Sequence, residues 1–394
     1  MEENKLLEKY KTPFFVFNID TLIKRIEFLK EALSNAHLCF AIKANTFIVK
    51  ELNDYVDRFE VCSDGEYQIC KILDVSRNKI VLSGVNKSPE DFENIFSHNE
   101  EVGIFTSESL KQYELLNGLA QKYNRKIKML LRLTSNNQFG MTRDEIINII
   151  KKNNYDLIDI VGIEYFSGTQ HYHVKRLRKE LDALKEFIDE LKSEHNYTIK
   201  ELEYGPGLPV YYFQGEEEGF NEVDYLNELN NIIYENFRDL TVTLEIGRSI
   251  AADCGTYFTS VVDIKTNKSG NFAIVDGGIN HLVYYGQTMA MKIPEFKIIS
   301  SSTKELEDAY NICGSLCTIN DIIVKQLLVP SLGVGDVFVF YKTGAYSVTE
   351  GMNLFLSRDL PKVILIKDNT DYLVRNKICS YDINCPKYEK KGEI

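Results

Sequence analysis

The chain has 394 residues, 44% hydrophobic and 26% charged, with a formal net charge of -12. That length exceeds one ordinary compact domain and supplies a sizeable core under a charged surface. The acidic balance excludes the basic face that nucleic acid needs, no apolar run approaches the ~18 residues of a membrane span, and the opening MEENKLLEKYK lacks a signal peptide's apolar core; the reading is cytoplasmic, with neither nucleic acid nor membrane as partner.

TPFFVFN at 12–18 predicts a strand, followed by one helix. Residues 1–35 are expected to form an N-terminal strand and helix, partly associated with a later β-domain or else completing the barrel's entrance. From there to residue 255, short β-rich runs alternate with helical patterns: HLCFAI at 37–42, FEVC at 59–62, KIVLSG at 79–84, VGIF at 102–105, IKMLLRL at 127–133, DIVGIEY at 159–165, KELEYG at 200–205 and TVTLEIG at 241–247. Eight strands with crossover helices over a little more than 200 residues match a parallel (β/α)8 TIM barrel, assigned to 36–255. A doubly wound open sheet is the main alternative, but it should carry a Gly-rich turn after its first strand, where this chain has Lys43. Beyond 255 the helical period nearly vanishes, and YFTSVVDIK, NFAIVD, DVFVFYK and KVILIKD read as a C-terminal antiparallel β-domain over 256–394. The eight cysteines include no CxxC pair and only six histidines are available, so no metal site is expected.

A barrel's active site lies at the C-terminal ends of its strands, and the unusual residues fall there. Lys43 follows the first strand, Glu60 lies in the second, Arg132 on the fifth, SGT after the sixth, GPG after the seventh, and Glu245 with Gly247 and Arg248 on the eighth. The glycine turns offer backbone N–H groups to an anion, and a lysine across the mouth from a phosphate site is a layout that holds pyridoxal phosphate covalently. Singly each signal is weak. A lysine after a strand is commonly a solvated amine, Gly-Pro-Gly is commonly a turn, and Glu245 could simply pair with Arg248 or Arg132.

Seven motifs in order give the chain a resemblance to the alanine-racemase-fold pyridoxal phosphate decarboxylases, which include diaminopimelate and ornithine decarboxylases: FAIKAN, FEVCSDGE, GIEYFSGTQ, YGPGLPVYY, EIGRSIAADCG, GSLCTIND and GDVFVFYKTGAY. The resemblance implies that Lys43 anchors the cofactor and Glu245 holds its pyridine nitrogen protonated. It implies that Thr169, Gly205, Gly207, Gly247, Arg248 and Tyr346 cradle the phosphate, with Phe166 stacking on the ring where the family usually has histidine. It places Cys317 at the reacting carbon, reaching it from the partner subunit of a homodimer. Thr318, Asp321 and His281 are candidates for substrate contact.

The departures bear on substrate. Diaminopimelate decarboxylases follow the cysteine with Glu-Ser-Gly-Asp, whose glutamate helps hold the distal amine, whereas this run is Thr318, Ile319, Asn320, Asp321. The arginine-bearing segment that binds the distal carboxylate is replaced by INHLVYYGQTMAMKIP. These features resemble a subgroup acting on carrier-protein-bound or conjugated amino acids, and that substrate class is expected. A free-amino-acid decarboxylase such as one for diaminopimelate is the alternative, followed by an amino-acid racemase.

Overall fold

Hydroxyl and amide side chains start most helices that separate the predicted strands. Ser63, Ser88 and Ser109 accept the N–H of Glu66, Asp91 and Gln112, Asn221 caps Glu222–Phe237, and Thr142 with Glu145 forms a capping box. The computed structural model describes residues 3–153, 156–216, 219–300 and 307–388. The chain divides into two compact units, one of Met1–Leu22, Tyr211–Glu218 and Ala251–Ile394, the other of Ile23–Val210 and Gly219–Ile250.

After the first strand, β1 (Phe14–Asn18), the chain forms β2 (His37–Ala41), β3 (Arg58–Val61), β4 (Ile80–Leu82), β5 (Ile104–Ser107), β6 (Ile127–Leu133), β7 (Ile158–Phe166), β8 (Glu201–Gly205) and β9 (Thr241–Ile246). Among the described residues, β2 to β9 close a parallel barrel in chain order. Every barrel pair is parallel, and β9 returns to β2 with Cys39 beside Glu245. The barrel expectation is therefore met. The run predicted over 102–105 lies two residues later, because Gly103 passes against the preceding turn: a Cβ there would lie 2.2 Å from the Asn78 carbonyl oxygen.

The other unit contains β10 (Gly255–Asn267), β11 (Gly270–Val275), β12 (Phe296–Ile299), β13 (Glu307–Cys313), β14 (Ile322–Pro330), β15 (Val337–Tyr341), β16 (Lys362–Lys367) and β17 (Thr370–Arg375). With β1 they make nine strands among the described residues, in the order β14-β13-β11-β10-β1-β16-β17, with β15 pairing both β10 and β12. The sheet is mostly antiparallel, but β1 with β16 and β11 with β13 run parallel. Phe14 stacks on Phe258 of the neighbouring strand, ring centroids 4.6 Å apart, in a core completed by Val16, Val339, Ile364 and Ile366. Burying each such side chain contributes about 2 kcal/mol, which fixes the N-terminal strand in this sheet.

Candidate active site

At the C-terminal end of β2 the chain turns through Ile42–Ala44, which lifts Lys43 off the strand. The flanking strands bring carboxylates to both sides, since β3 sets Glu60 beside Ala41 and β9 sets Glu245 beside Cys39. Lys43 Nζ donates to Glu60 Oε2 at 2.6 Å and to Glu245 Oε1 at 3.0 Å, with Cys62 Sγ 3.7 Å away. The lysine side chain is 39% exposed, whereas those of Glu60 and Glu245 are 2% and 8% exposed. The amine is thus open on one side and held on the other.

The two carboxyls divide one proton. Burial, followed by the charge of Glu60, pushes Glu245 up to about 8 against the pull of Lys43. Burial would raise Glu60 as well, but the Lys43 ammonium and the hydrogen bonds it receives hold it below its usual value. Glu60 is the anion of the pair and Glu245 the proton carrier at neutral pH.

Near the C-terminal end of β6, Arg132 Nη1 donates to Glu108 Oε1 at 3.0 Å and lies 3.3 Å from Glu164 Oε1, so this arginine serves other carboxylates than Glu245. Burial pushes Glu164 up to about 7. Glu203 is the extreme case. It is 1% exposed, neither carboxyl oxygen has a hydrogen-bond partner among the described residues, and the nearest cation, Arg58 Nη1, is 3.8 Å away. Burial, then the charge of Glu164, pushes it well above the carboxylate range. The fold therefore binds a proton at Glu203 that the unfolded chain releases, and stability falls as pH rises above the ordinary carboxyl value. Glu203→Gln removes this requirement without changing shape. Its gain in thermal stability over wild type should be larger at pH 8 than at pH 5, by up to about 1.4 kcal/mol per pH unit. Equal gains at both pH values would mean that Glu203 is ionised in the fold.

Three consecutive strand ends supply the glycine turns. Phe166 ends β7 and Gly205 ends β8, where a Cβ would lie 2.4 Å from Phe166 Cδ2, so only glycine lets the ring lie there. Gly207 has φ +61°, and a Cβ on it would approach the Gly168 carbonyl to 2.3 Å, beside Thr169. Gly247 follows β9 and Arg248, 8% exposed, begins the next short helix. His171, which the motif reading passed over, packs against both turns: its Nδ1 would lie 3.1 Å from a Gly207 Cβ. Lys87 was also missed. Its ammonium is buried after β4, donates to the Gly84 carbonyl at 2.7 Å, and is pushed down to about 8 by that burial.

The barrel thus gathers Lys43, Phe166, Thr169, Gly205, Gly207, Glu245, Gly247 and Arg248 at its C-terminal end. The remaining expected residues lie in the β-rich unit. Cys317 is exposed and Thr318 half-buried on the loop between β13 and β14, while Cys313 ends β13. Asp321 closes that loop from within: it accepts the N–H of Leu316 at 2.7 Å and of Ile279 at 2.9 Å, and Gly278 and Gly314 pass against it. His281 is buried with both ring nitrogens engaged. Its Nε2 donates to the Asp359 carbonyl at 3.0 Å, which leaves Nδ1 to accept from the Tyr257 hydroxyl at 3.0 Å. Burial lowers it to about 4. Substrate contact was expected of Asp321 and His281, but their polar atoms are occupied inside this unit. Tyr346 has φ +67° immediately before Ser347–Glu350.

Residues 19–252 match the family described as pyridoxal-dependent decarboxylase, pyridoxal binding domain. A diaminopimelate decarboxylase of Haemophilus influenzae is 28% identical over 399 residues, covering 96% of this chain and 93% of that one. The L-glutamyl-[BtrI acyl-carrier protein] decarboxylase of Niallia circulans is 24% identical, covering 100% and 97%. The crystal structure of a diaminopimelate decarboxylase from M. jannaschii superposes with a TM-score of 0.87 at 22% identity, over 99% of this chain and 95% of that chain.

Proposed function

The chain belongs to the pyridoxal-dependent decarboxylase family, and on that premise we propose that it decarboxylates an amino acid whose far end is conjugated or carried on a protein. The residues present fit pyridoxal phosphate: an amine open on one side, a carboxyl that keeps its proton to about pH 8, and glycine turns that a Cβ would block. When bound, the cofactor supplies an electron sink for the carbon that loses carbon dioxide.

This chain's residues would do the rest. Lys43 anchors the cofactor and Glu245 keeps a proton at the pyridine nitrogen, with Glu60 holding the amine in place. Thr169, Gly205, Gly207, Gly247, Arg248 and Tyr346 hold the phosphate, and Phe166 lies against the ring. Cys317 delivers a proton to the reacting carbon. Its exposure on a loop of the β-rich unit supports a homodimer in which the thiol completes a site in the second copy.

One observation carries the substrate reading. Asp321 is the sole acid of the Cys317 loop, GSLCTIND, and two backbone N–H groups occupy it, so the loop offers no carboxylate to a distal amine. The Niallia circulans relative, named for a carrier-bound substrate, supports the same reading. The Haemophilus influenzae relative favours the second reading, a free diamino acid.

The two readings separate by carbon dioxide release. A carrier-protein glutamyl thioester should exceed free meso-diaminopimelate, ornithine and lysine in kcat/KM by on the order of a thousandfold, because a distal charge without a partner is rejected by several kcal/mol. Turnover of any free diamino acid at ordinary enzyme efficiency would remove the conjugated-substrate reading. Recovery of the opposite enantiomer without carbon dioxide would indicate a racemase.

A further inference from the structure

The β-rich unit contains a cavity of about 240 Å3 lined by Thr12, His281, Ser315, Arg358, Lys362 and Lys377, with Asp276 and Asp359 also on its wall. The two carboxylates are already engaged. Asp276 accepts from the Thr12 and Thr259 hydroxyls and the Ser260 N–H, and Asp359 pairs with Lys377 at 2.8 Å. Arg358 and Lys362 make no ion pair among the described residues. Arg358 Nη2 donates to the Ser315 carbonyl at 2.7 Å, and Lys362 Nζ to the Lys11 carbonyl at 3.1 Å. Arg358 is exposed and Lys362 half-buried, and with only neutral carbonyls as partners both cations are open to an anion.

Two further facts point the same way. Ser315 lines the cavity, and its hydroxyl is buried with no hydrogen-bond partner among the described residues. Burial, followed by the charges of Lys377 and Lys11, holds the Lys362 ammonium below the usual lysine value, so the cations crowd one another. An anion in the cavity would relieve that repulsion.

We propose that this cavity binds a small oxyanion, a phosphate or carboxylate group, held by Arg358 and Lys362 beside Ser315. Ser315 stands two residues before Cys317, so the bound anion also grips the loop that carries the thiol. The proposal is independent of the substrate reading, and its failure would leave the Lys43 chemistry untouched.

Calorimetric titration of the pyridoxal-phosphate-loaded protein tests it, because the loaded cofactor keeps the barrel's own phosphate cradle filled. Inorganic phosphate and citrate are the two probes, injected into wild type and into Lys362→Gln. At least one probe should bind wild type, and its affinity should fall roughly tenfold in the variant, the loss expected for one charge-assisted contact. Preference for phosphate would identify a phosphoryl ligand and preference for citrate a polycarboxylate, either of which supports the site. No binding of either probe to wild type, or equal affinity in wild type and Lys362→Gln, overturns the proposal.

Discussion

Lys43→Ala should fold, retain no covalently held cofactor, and lose turnover by on the order of ten-thousandfold or more. The fold survives because the lysine side chain is 39% exposed and packs no core. Its loss leaves Glu60 and Glu245 facing each other without an ammonium. That costs about 3 kcal/mol when one partner of a buried ion pair is removed, against the ~5–15 kcal/mol holding a typical fold. Because Glu245 already keeps its proton to about pH 8, the pair can neutralise further by raising Glu60. The cost should therefore shrink at lower pH, where both carboxyls are protonated. Far-ultraviolet dichroism, visible absorbance and carbon dioxide release read the three consequences separately. A variant that borohydride still fixes to a phosphopyridoxyl group would place the anchor on another lysine.

The second large effect concerns the loop thiol. Cys317→Ala should keep the cofactor and the fold, because the residue is exposed, yet slow protonation of the product carbon. Misdirected protonation would show as pyridoxamine phosphate accumulating during turnover. Cys313→Ala is the control. That thiol is half-buried at the end of β13, 3.7 Å from the Asn311 carbonyl, and its loss should cost about 1 kcal/mol of stability with no change in product. Mixing Lys43→Ala with Cys317→Ala protein extends the test to assembly. If the thiol serves the second copy, random exchange restores up to roughly one quarter of the wild-type sites. No restoration after exchange would put the thiol and the lysine of one chain in the same site.

The barrel was legible because its strands are local, continuous apolar runs between capped helices, and Lys43 and Glu245 stood out as charges at strand ends. Glu203 and Glu164 were not singled out. Whether a glutamate in a parallel strand faces the interior depends on a pairing register that a single strand does not display. That Asp321 closes its own loop is not visible locally, because one of its backbone donors, Ile279 N–H, lies far upstream and reaches it only through the folded loop. The same non-locality hid the parallel pairing of β1 with β16, which joins Phe14 to Lys362 across almost the whole chain. His171 and Lys87 carried no motif signal, and only the folded glycine turn and the loop after β4 reveal what surrounds them.

The most direct measurement is the identity of the modified amine. Borohydride reduction of the cofactor-loaded protein, followed by proteolysis and mass spectrometry, should place the phosphopyridoxyl group on the peptide containing Lys43. Lys87 is the rival, since burial already lowers its amine to about 8 within the same barrel. A phosphopyridoxyl group on Lys87, or on any lysine other than Lys43, would contradict the active site described above.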